Sequence, residues 1–353
     1  MRSLGEIPPA PLFQRVECYL RTSSKCKWND GLFVQAVDDR SAFPSQPFIK
    51  PSREKGGRMY EHIYGIVPPM TTPFRPDQTI DEPALRTEAR YMVETAKVHG
   101  LAVGGSAGEG HTLTMEEVRR ITGIVMEEVR GRIPVITGVI TDSTKSAVER
   151  GRAVKDLGAA ALQVTPPHYV FRPDDEAMLK NFDAIATRTG VPVLIYNVIP
   201  WVYLSPRLLA RILTEVDGVI GVKQSAGDMK MLADLLLLMG DRARIMSAVD
   251  ALLYSSFTLG AHGAIAAILT AVPTLCVSLW DAVRAGDHPL ALDLHRKILP
   301  VWNAIFDDNL PANVKYCLEL QGRPAGLPRP PMPATSERQA GPIKQALQNA
   351  GLI

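Results

Sequence analysis

Eight short apolar segments recur along the chain at intervals of about 20 to 38 residues, the spacing of repeated strand–helix units. The segments are 63–67, 101–105, 134–139, 161–165, 192–197, 219–223, 244–248 and 263–268. Most of the intervening sequence has apolar residues at helical spacing, and residues 82–99 are one such predicted helix. Strands that alternate with helices pair in parallel. Eight such units within about 225 residues predict an α/β protein with a (β/α)8 barrel, the TIM-barrel fold.

The alternative fold is an open, doubly wound sheet. Such sheets usually carry a glycine-rich loop for a dinucleotide or a phosphate, and the chain contains neither GxGxxG nor GxxxxGK followed by Ser or Thr. The closed barrel is therefore favoured.

Several helix starts are marked by capping residues. Thr114 and Glu117 have the spacing of a capping box. Ser143 and the pair Ser205-Pro206 are also suited to the first positions of helices.

The chain divides into three regions. Residues 1–58 contain six prolines and little periodicity, so we expect an irregular and disordered N-terminal extension. Met59 follows at once and is a candidate natural start, which N-terminal sequencing of protein from its source would test. Residues 59–286 form the predicted barrel, and residues 287–353 form a C-terminal helical region.

Composition excludes several classes of function. The chain is 46% hydrophobic and 22% charged, with a net charge of +2. Without residues 1–58 it has 29 basic and 31 acidic residues, so it shows no electrostatic signature of nucleic-acid or membrane binding. The long uncharged stretch 251–280 contains glycines and a proline, and it is better explained by a buried strand and helix than by a membrane span.

Cysteine and histidine usage argues against disulfides and metals. The four cysteines, Cys18, Cys26, Cys276 and Cys317, form no CxxC pair, which predicts reduced thiols and a cytoplasmic location. None of the seven histidines forms an HxH or HxxxH unit, so no metal site is predicted.

Lys223 is the strongest candidate for a catalytic residue. It ends the apolar segment 219–223, and active sites of barrels of this kind lie at the C-terminal ends of the strands. A lysine amine in its neutral form attacks a ketone to give a Schiff base, which serves as an electron sink without any cofactor. The alternative is a lysine that merely emerges into solvent at the end of its strand.

Two further features follow neighbouring strands. Tyr196, in the segment 192–197, could carry protons during imine formation, or it could be a core phenol. We expect the turn from Gly105 to Gly108 to open a helix, so that its free N–H groups hold a carboxylate, with Ser106 as an added donor. The alternative is ordinary strand-to-helix geometry. Glu109 is assigned a structural role at the start of that helix.

From about residue 64 to about residue 331, the chain resembles the dihydrodipicolinate synthase/N-acetylneuraminate lyase family. The matching segments, in order, are Gly65 with Thr72-Pro73-Phe74, Gly105-Ser106-Ala107-Gly108-Glu109, Val164-Thr165-Pro166, Tyr196-Asn197-Val198, Gly221-Val222-Lys223, Asp250-Ala251, Gly260-Ala261-His262-Gly263-Ala264-Ile265 and Asn313-Val314-Lys315.

The resemblance implies a class I lyase or aldolase. Lys223 would form a Schiff base with pyruvate or another 2-oxo acid, and Tyr196 would carry the proton. The substrate carboxylate would bind at Gly105, Ser106 and Ala107, and the backbone near Ile265 would line the site. The family implies a homotetramer, a dimer of dimers. Through the same imine, the enzyme could instead dehydrate a 2-keto-3-deoxy sugar acid, or act as a 4-hydroxy-tetrahydrodipicolinate synthase.

Departures from the family pattern concern the second substrate. Ala107 replaces the second hydroxyl residue of the turn, and Pro167-His168-Tyr169 replaces a Tyr-Tyr pair. Tyr169 is a candidate substrate-binding residue, although either His168 or Tyr169 could face the site. The stretch 198–204 lacks the arginine that would hold a second carboxylate. Trp201 and Tyr203 indicate a bulkier or less charged substrate, and Trp201 is assigned to binding.

Two rival functions belong to other classes. Gly104-Gly105-Ser106-Ala107-Gly108 fits the GxSxG elbow of a serine hydrolase, with Asp250 and His262 as possible partners, but only one predicted strand precedes the strand that leads into it. A barrel that binds a keto acid without turnover is the second rival, and the presence of both Lys223 and Tyr196 argues against it.

Overall fold

The computed structural model describes residues 62–353, which contain one eight-stranded parallel sheet. The predicted extension 1–58 and the candidate start Met59 lie outside the described residues. In the sheet, β1 pairs with β8, and the order then runs back through the sequence to β2. The strands are β1 (Gly65–Ile66), β2 (Leu101–Val103), β3 (Val135–Val139), β4 (Ala161–Val164), β5 (Val193–Asn197), β6 (Val219–Gln224), β7 (Arg244–Ser247) and β8 (Gly263–Ala264).

The ring closes between β2 and the residues that follow β1. The N–H of Met70 donates to the carbonyl of Ala102 over 2.8 Å, and the N–H of Ala102 donates to the carbonyl of Pro68 over 3.0 Å. These bonds surround a parallel bridge between Pro69 and Ala102. The prediction of a (β/α)8 barrel is confirmed.

Twelve α-helices lie within residues 62–353, most of them between successive strands. They are α1 (Glu82–Glu94), α2 (Met115–Val129), α3 (Thr144–Lys155), α4 (Asp175–Thr189), α5 (Pro206–Glu215), α6 (Met229–Met239), α7 (Leu253–Thr258), α8 (Ile268–Ala271), α9 (Pro273–Ala285), α10 (His288–Ile305), α11 (Leu310–Leu320) and α12 (Glu337–Asn349). None of them is both long and apolar enough to cross a membrane.

The helix starts follow the capping signals of the sequence. Thr114 and Glu117 form the predicted capping box at the start of α2, each side chain bonding the backbone N–H of the other residue. Ser143 and Ser205 accept backbone N–H groups at the starts of α3 and α5. These local signals need no tertiary contact, which is why the sequence alone was sufficient to find them.

Two element boundaries differ from the prediction. The helix predicted over 82–99 ends at Glu94, and Lys97 then takes a left-handed backbone conformation with φ of +54°. The last strand is limited to Gly263–Ala264, because the N–H of Ile268 donates to the carboxylate of Asp250 over 2.8 Å and Ile268 begins α8.

The barrel has an inner and an outer apolar layer. The outer layer lies between the strands and the surrounding helices. The inner layer consists of nine fully or nearly fully buried residues: Ile63, Val67, Ala102, Ile136, Ala161, Leu194, Ile220, Met246 and Ile265. A register shift between β5 and β6 adds Ile220 to this layer, since Val193 pairs with Val219 whereas Leu194 pairs with Gly221.

The C-terminal helices continue directly from the barrel. Gly286, with φ of +76°, ends α9, and Asp287 caps α10, which packs along α9. The helices α11 and α12 pack against each other and close to α8 and α10. The division into regions 59–286 and 287–353 remains a prediction.

Candidate active site

Lys223 and Tyr196 lie side by side at the C-terminal ends of their strands. They are register partners in β6 and β5, and Nζ of Lys223 lies 3.8 Å from the centre of the Tyr196 ring. Each residue is only 4% exposed. Val222 belongs to the outer apolar layer, so the alternation of the strand turns Lys223 toward the inside of the barrel.

The amine of Lys223 has no ion-pair partner among residues 62–353. The acidic group that it influences is Asp250, which follows β7. Burial raises the pKa of the Asp250 carboxyl to about 6, while the Ile268 N–H and the charge of Lys223 act to lower it. Lys223 is therefore near one carboxylate that is already engaged by a backbone donor, and its amine remains available for covalent chemistry.

Tyr196 connects the lysine to the turn that follows β2. Its hydroxyl donates to Oγ of Ser106 over 3.1 Å. Tyr203 lies close by, since burial and, second, the neighbouring Tyr196 raise the pKa of the Tyr203 phenol. The Tyr196 ring thus lies beside the Lys223 amine while its hydroxyl bonds a serine hydroxyl, an arrangement in which Tyr196 can act as a proton carrier.

The turn after β2 does not open an α-helix, so that part of the prediction was wrong. The N–H groups of Gly108, Glu109 and Gly110 donate back within the turn, to the carbonyls of Gly105, Ser106 and Gly105, each over 3.0 Å. One turn of 3-10 helix follows, and α2 begins only at Met115, where its capping box stands.

The N–H groups of Ser106 and Ala107 nevertheless remain open. Neither donates a hydrogen bond to another residue of the described part of the chain. Ser106 is exposed at the mouth of the barrel, whereas Gly105 and Ala107 are buried. Two adjacent backbone donors beside a hydroxyl can bind a carboxylate without help from a helix dipole.

Close packing fixes the shape of this turn. A β-carbon on Gly110 would lie 1.9 Å from the carbonyl oxygen of Gly104, and one on Gly108 would lie 2.8 Å from that of Met70. The hydroxyl of Thr72 donates to the Gly108 carbonyl over 2.7 Å. Glycine is required at both positions because the backbone approaches too closely for any side chain.

Glu109 has a structural role, but a different one from that predicted. It is fully buried, and its carboxylate lies 2.6 Å from Nζ of Lys315 in α11. It also accepts the N–H of Arg329 over 2.8 Å. The carboxylate therefore ties the turn to the C-terminal region instead of capping a helix. Sequence reasoning noted Lys315 only as part of a family motif.

The aromatic residues after β4 and β5 lie on the rim. Asp142 accepts the N–H groups of His168 and Tyr169 over 2.6 and 2.7 Å, and the indole N–H of Trp201 donates to the His168 carbonyl over 2.8 Å. Tyr169 is 71% exposed and Trp201 is 65% exposed. The structure does not bring either side chain against Lys223 or Tyr196, so their assignment to substrate binding remains a prediction.

Comparison with known proteins identifies the family. A sequence model of a protein family, the dihydrodipicolinate synthetase family, matches residues 62–350. The chain belongs to the dihydrodipicolinate synthetase family. The 4-hydroxy-tetrahydrodipicolinate synthase of Methanopyrus kandleri is 33% identical over 294 residues, which cover 82% of this chain and 97% of that protein.

Solved structures of the same fold agree with this assignment. A chloride-inhibited dihydrodipicolinate synthase from Acinetobacter baumannii, complexed with pyruvate, is 28% identical with a TM-score of 0.78, covering 82% of this chain and all of that one. A monomeric dihydrodipicolinate synthase variant is 26% identical with a TM-score of 0.79, covering 84% of this chain and all of that one. The resemblance found in the sequence is confirmed, and with it the class I lyase type of enzyme.

The side chains required by the rival function, a serine hydrolase, do not come together. Ser106 follows the C-terminal end of β2, whereas His262 bonds the backbone at the start of β7, accepting the N–H of Ile245 over 3.1 Å. The two side chains therefore lie at opposite ends of the barrel. Within residues 62–353, no group of three or more His, Cys, Asp or Glu side chains is arranged to hold a metal ion.

Ile265, predicted to line the site, belongs to the inner apolar layer of the barrel.

Two polar residues inside the barrel of this family member were not assigned a role from the sequence. Gln163 and Thr165, on and just beyond β4, are also buried. Thr165 belongs to the family segment Val164-Thr165-Pro166, whereas the only signal for Gln163 was a polar residue at an alternate position of an apolar segment.

Proposed function

We propose that this family member forms a Schiff base between Lys223 and pyruvate or a related 2-oxo acid, then makes or cleaves the adjacent carbon–carbon bond. One observation carries the proposal: Nζ of Lys223 lies 3.8 Å from the ring centre of Tyr196, whose hydroxyl bonds Ser106. A nucleophile, a proton carrier and two open backbone donors together support imine chemistry on an anionic ketone.

The steps balance without a redox partner. The nitrogen of Lys223 adds to the keto carbon, and the resulting hydroxyl leaves as water after Tyr196 supplies a proton. In the cleavage direction, Tyr196 as phenolate takes the proton of the substrate hydroxyl, the carbon–carbon bond breaks and an aldehyde departs. The protonated imine accepts the electron pair and becomes an enamine. Protonation and hydrolysis then release the 2-oxo acid and restore the amine.

The rim favours an aldehyde without a second carboxylate. Residues 198–204 contain no arginine, while Trp201 and Tyr203 offer aromatic surface. Because a guanidinium–carboxylate pair is a strong and directional contact, an acidic aldehyde loses its expected partner in this stretch. The names of the curated relatives support 4-hydroxy-tetrahydrodipicolinate synthase as the second candidate. Dehydration of a 2-keto-3-deoxy sugar acid would use the same imine.

We propose a cytoplasmic homotetramer, a dimer of dimers. Cys276 and Cys317 are free and buried, which suits a reducing compartment. Val170 and Phe171 join Tyr169 and Trp201 as exposed apolar residues on the rim, and such a patch suits contact with another subunit. Light scattering of the purified chain tests the assembly, and a monomer at micromolar concentration would contradict it.

Borohydride trapping tests the chemistry. The intact mass of wild type should increase by that of reduced pyruvate, and Lys223→Ala should give no increase. Lys344→Ala, at an exposed position on α12, is the control and should trap pyruvate like wild type. If wild type forms no adduct with pyruvate or with longer 2-oxo acids, the proposal is wrong. If wild type does trap pyruvate, steady-state rates with pyruvate and a panel of acidic, sugar and aromatic aldehydes would separate the candidate second substrates.

A further inference from the structure

Gln163 presents an unpaired amide to the interior of the barrel. It is 1% exposed, and neither its Oε1 nor its Nε2 has a hydrogen-bond partner among the described residues. Buried side-chain amides are nearly always hydrogen-bonded, and an unpaired one opposes folding. An apolar residue of similar size would be the more stabilising choice for a purely structural position.

The position of Gln163 relates it directly to the proposed site. It is the register partner of Gly138 in β3 and of Leu194 in β5, and Leu194 belongs to the inner apolar layer. Tyr196 lies two residues further along β5 and therefore one layer nearer the mouth. Gln163 thus lies in the layer immediately beneath the Lys223 and Tyr196 pair.

Its amide nitrogen approaches the turn after β2. Nε2 lies 3.2 Å from the point that a β-carbon on Gly105 would occupy. The next two residues of that turn, Ser106 and Ala107, have the open N–H groups. The turn comes this close because Gly138, the register partner of Gln163, has no side chain: a β-carbon there would lie 2.2 Å from the carbonyl oxygen of Gly104 and 2.8 Å from the backbone nitrogen of Gly105.

We propose that Gln163 positions the substrate, its Nε2 donating a hydrogen bond to the carboxylate of the 2-oxo acid beside the N–H groups of Ser106 and Ala107. This inference rests on the proposed function. A carboxylate can accept about four hydrogen bonds, so three donors at this place are readily used. An amide supplies orientation without a permanent charge, and the positive charge that balances the carboxylate arises on the imine of Lys223 itself.

The inference also explains the unfavourable burial. An amide that is unpaired in the free enzyme and paired in the complex contributes to affinity at the expense of stability. The same amide would select 2-oxo acids over ketones that lack the carboxylate. Removing it should therefore weaken binding of the acid while leaving the fold intact or more stable.

Gln163→Met, which keeps the length and removes the amide, is the main test. Trapping with borohydride at increasing pyruvate should give a half-saturating concentration about 10-fold above that of wild type, the scale of one charge-assisted hydrogen bond. The amount of adduct at saturation should match wild type, because Lys223 is intact. Gln163→Glu should shift the concentration further through charge repulsion.

Methyl pyruvate is the matched control ligand, because its ester carries no charge. We expect Gln163→Met to shift trapping of methyl pyruvate by less than about twofold, since the charge-assisted part of the bond is absent. The melting temperature of ligand-free Gln163→Met should equal or exceed that of wild type. A structural glutamine would give the opposite result, a lower melting temperature with unchanged trapping.

The outcomes separate this inference from the proposed function. If wild type traps no 2-oxo acid, the proposed function fails and this inference fails with it. If wild type traps pyruvate and Gln163→Met has the same half-saturating concentration, only the role of Gln163 is wrong. An equal shift for pyruvate and methyl pyruvate would also overturn it, because recognition would then not involve the carboxylate.

Discussion

At the scale of single residues, the proposed chemistry depends on Tyr196, which contacts both Lys223 and Ser106. The Tyr196 phenol lies under the Lys223 amine and donates to Ser106. Tyr196→Phe keeps the ring packing and removes only the proton carrier. We expect it to reduce kcat by about 10²- to 10⁴-fold, the usual scale for a lost acid–base group. Rates of imine trapping and of turnover, measured together, check this.

Tyr203→Phe is the matched control for this prediction, since Tyr203 is the neighbouring phenol. It should retain a rate within a few-fold of wild type, because no bond from its hydroxyl reaches the lysine. A Tyr196→Phe rate near that of wild type would remove Tyr196 from the mechanism.

Asp250 should make the stability of the fold depend on pH. Burial raises the pKa of its carboxyl to about 6, so the folded chain holds this proton more tightly than the unfolded chain does. The stabilisation is complete below about pH 4 and is lost as the pH rises through 6. Asp250→Asn keeps an acceptor for the Ile268 N–H, but its amide does not titrate, so it lacks this pH dependence. Its melting temperature relative to wild type should therefore increase from pH 4 to pH 7, and a constant difference would contradict the assignment.

At the scale of elements, the turn after β2 is held by a buried ion pair. Glu109 and Lys315 are at most 2% exposed and lie 206 positions apart, and Nζ of Lys315 also donates to the Leu327 carbonyl over 2.6 Å. Burial lowers the pKa of Lys315, and the Glu109 carboxylate acts to raise it. In a pair so deeply buried, removing one partner is destabilising because the other charge is then buried without a counter-charge.

Lys315→Met should consequently destabilise the protein by about 3 to 5 kcal/mol in urea unfolding, the usual cost of leaving one buried charge unpaired. The double variant Glu109→Gln with Lys315→Met should recover part of that loss. The control Lys145→Met removes an exposed pair with Glu149 at 3.9 Å and should cost less than about 1 kcal/mol. Equal losses for Lys145→Met and Lys315→Met would show that the buried pair has no special role.

These elements show what the sequence can and cannot predict. Strand positions, capping boxes and the pairing of Tyr196 with Lys223 depend on local period and on strand order, so periodicity was sufficient. The form of the turn at Gly105 depends on contacts of Gly110 with Gly104 and of Glu109 with Lys315, which no local pattern records. For the same reason β8 was predicted too long, because Asp250 takes the N–H of Ile268.

At the scale of the whole molecule, the proposed imine would stabilise the barrel against unfolding. A covalent adduct on β6 that also engages the turn after β2 exists only in the folded chain, so ligand binding is linked to stability. At a pyruvate concentration about 100-fold above half-saturation, the linkage is worth about 2.7 kcal/mol. We expect the melting temperature of wild type to rise by several degrees, measured by calorimetry at fixed pH.

Single-residue variants test whether this rise in melting temperature comes from the imine at Lys223. Lys223→Ala should show almost no stabilisation by pyruvate, whereas Lys344→Ala should behave like wild type. Gln163→Met should require more pyruvate for the same shift and reach the same limit, since it weakens recognition without removing the amine. A rise in Lys223→Ala equal to that of wild type would mean that the stabilisation does not depend on an imine, and the proposed Schiff base at Lys223 would then be wrong.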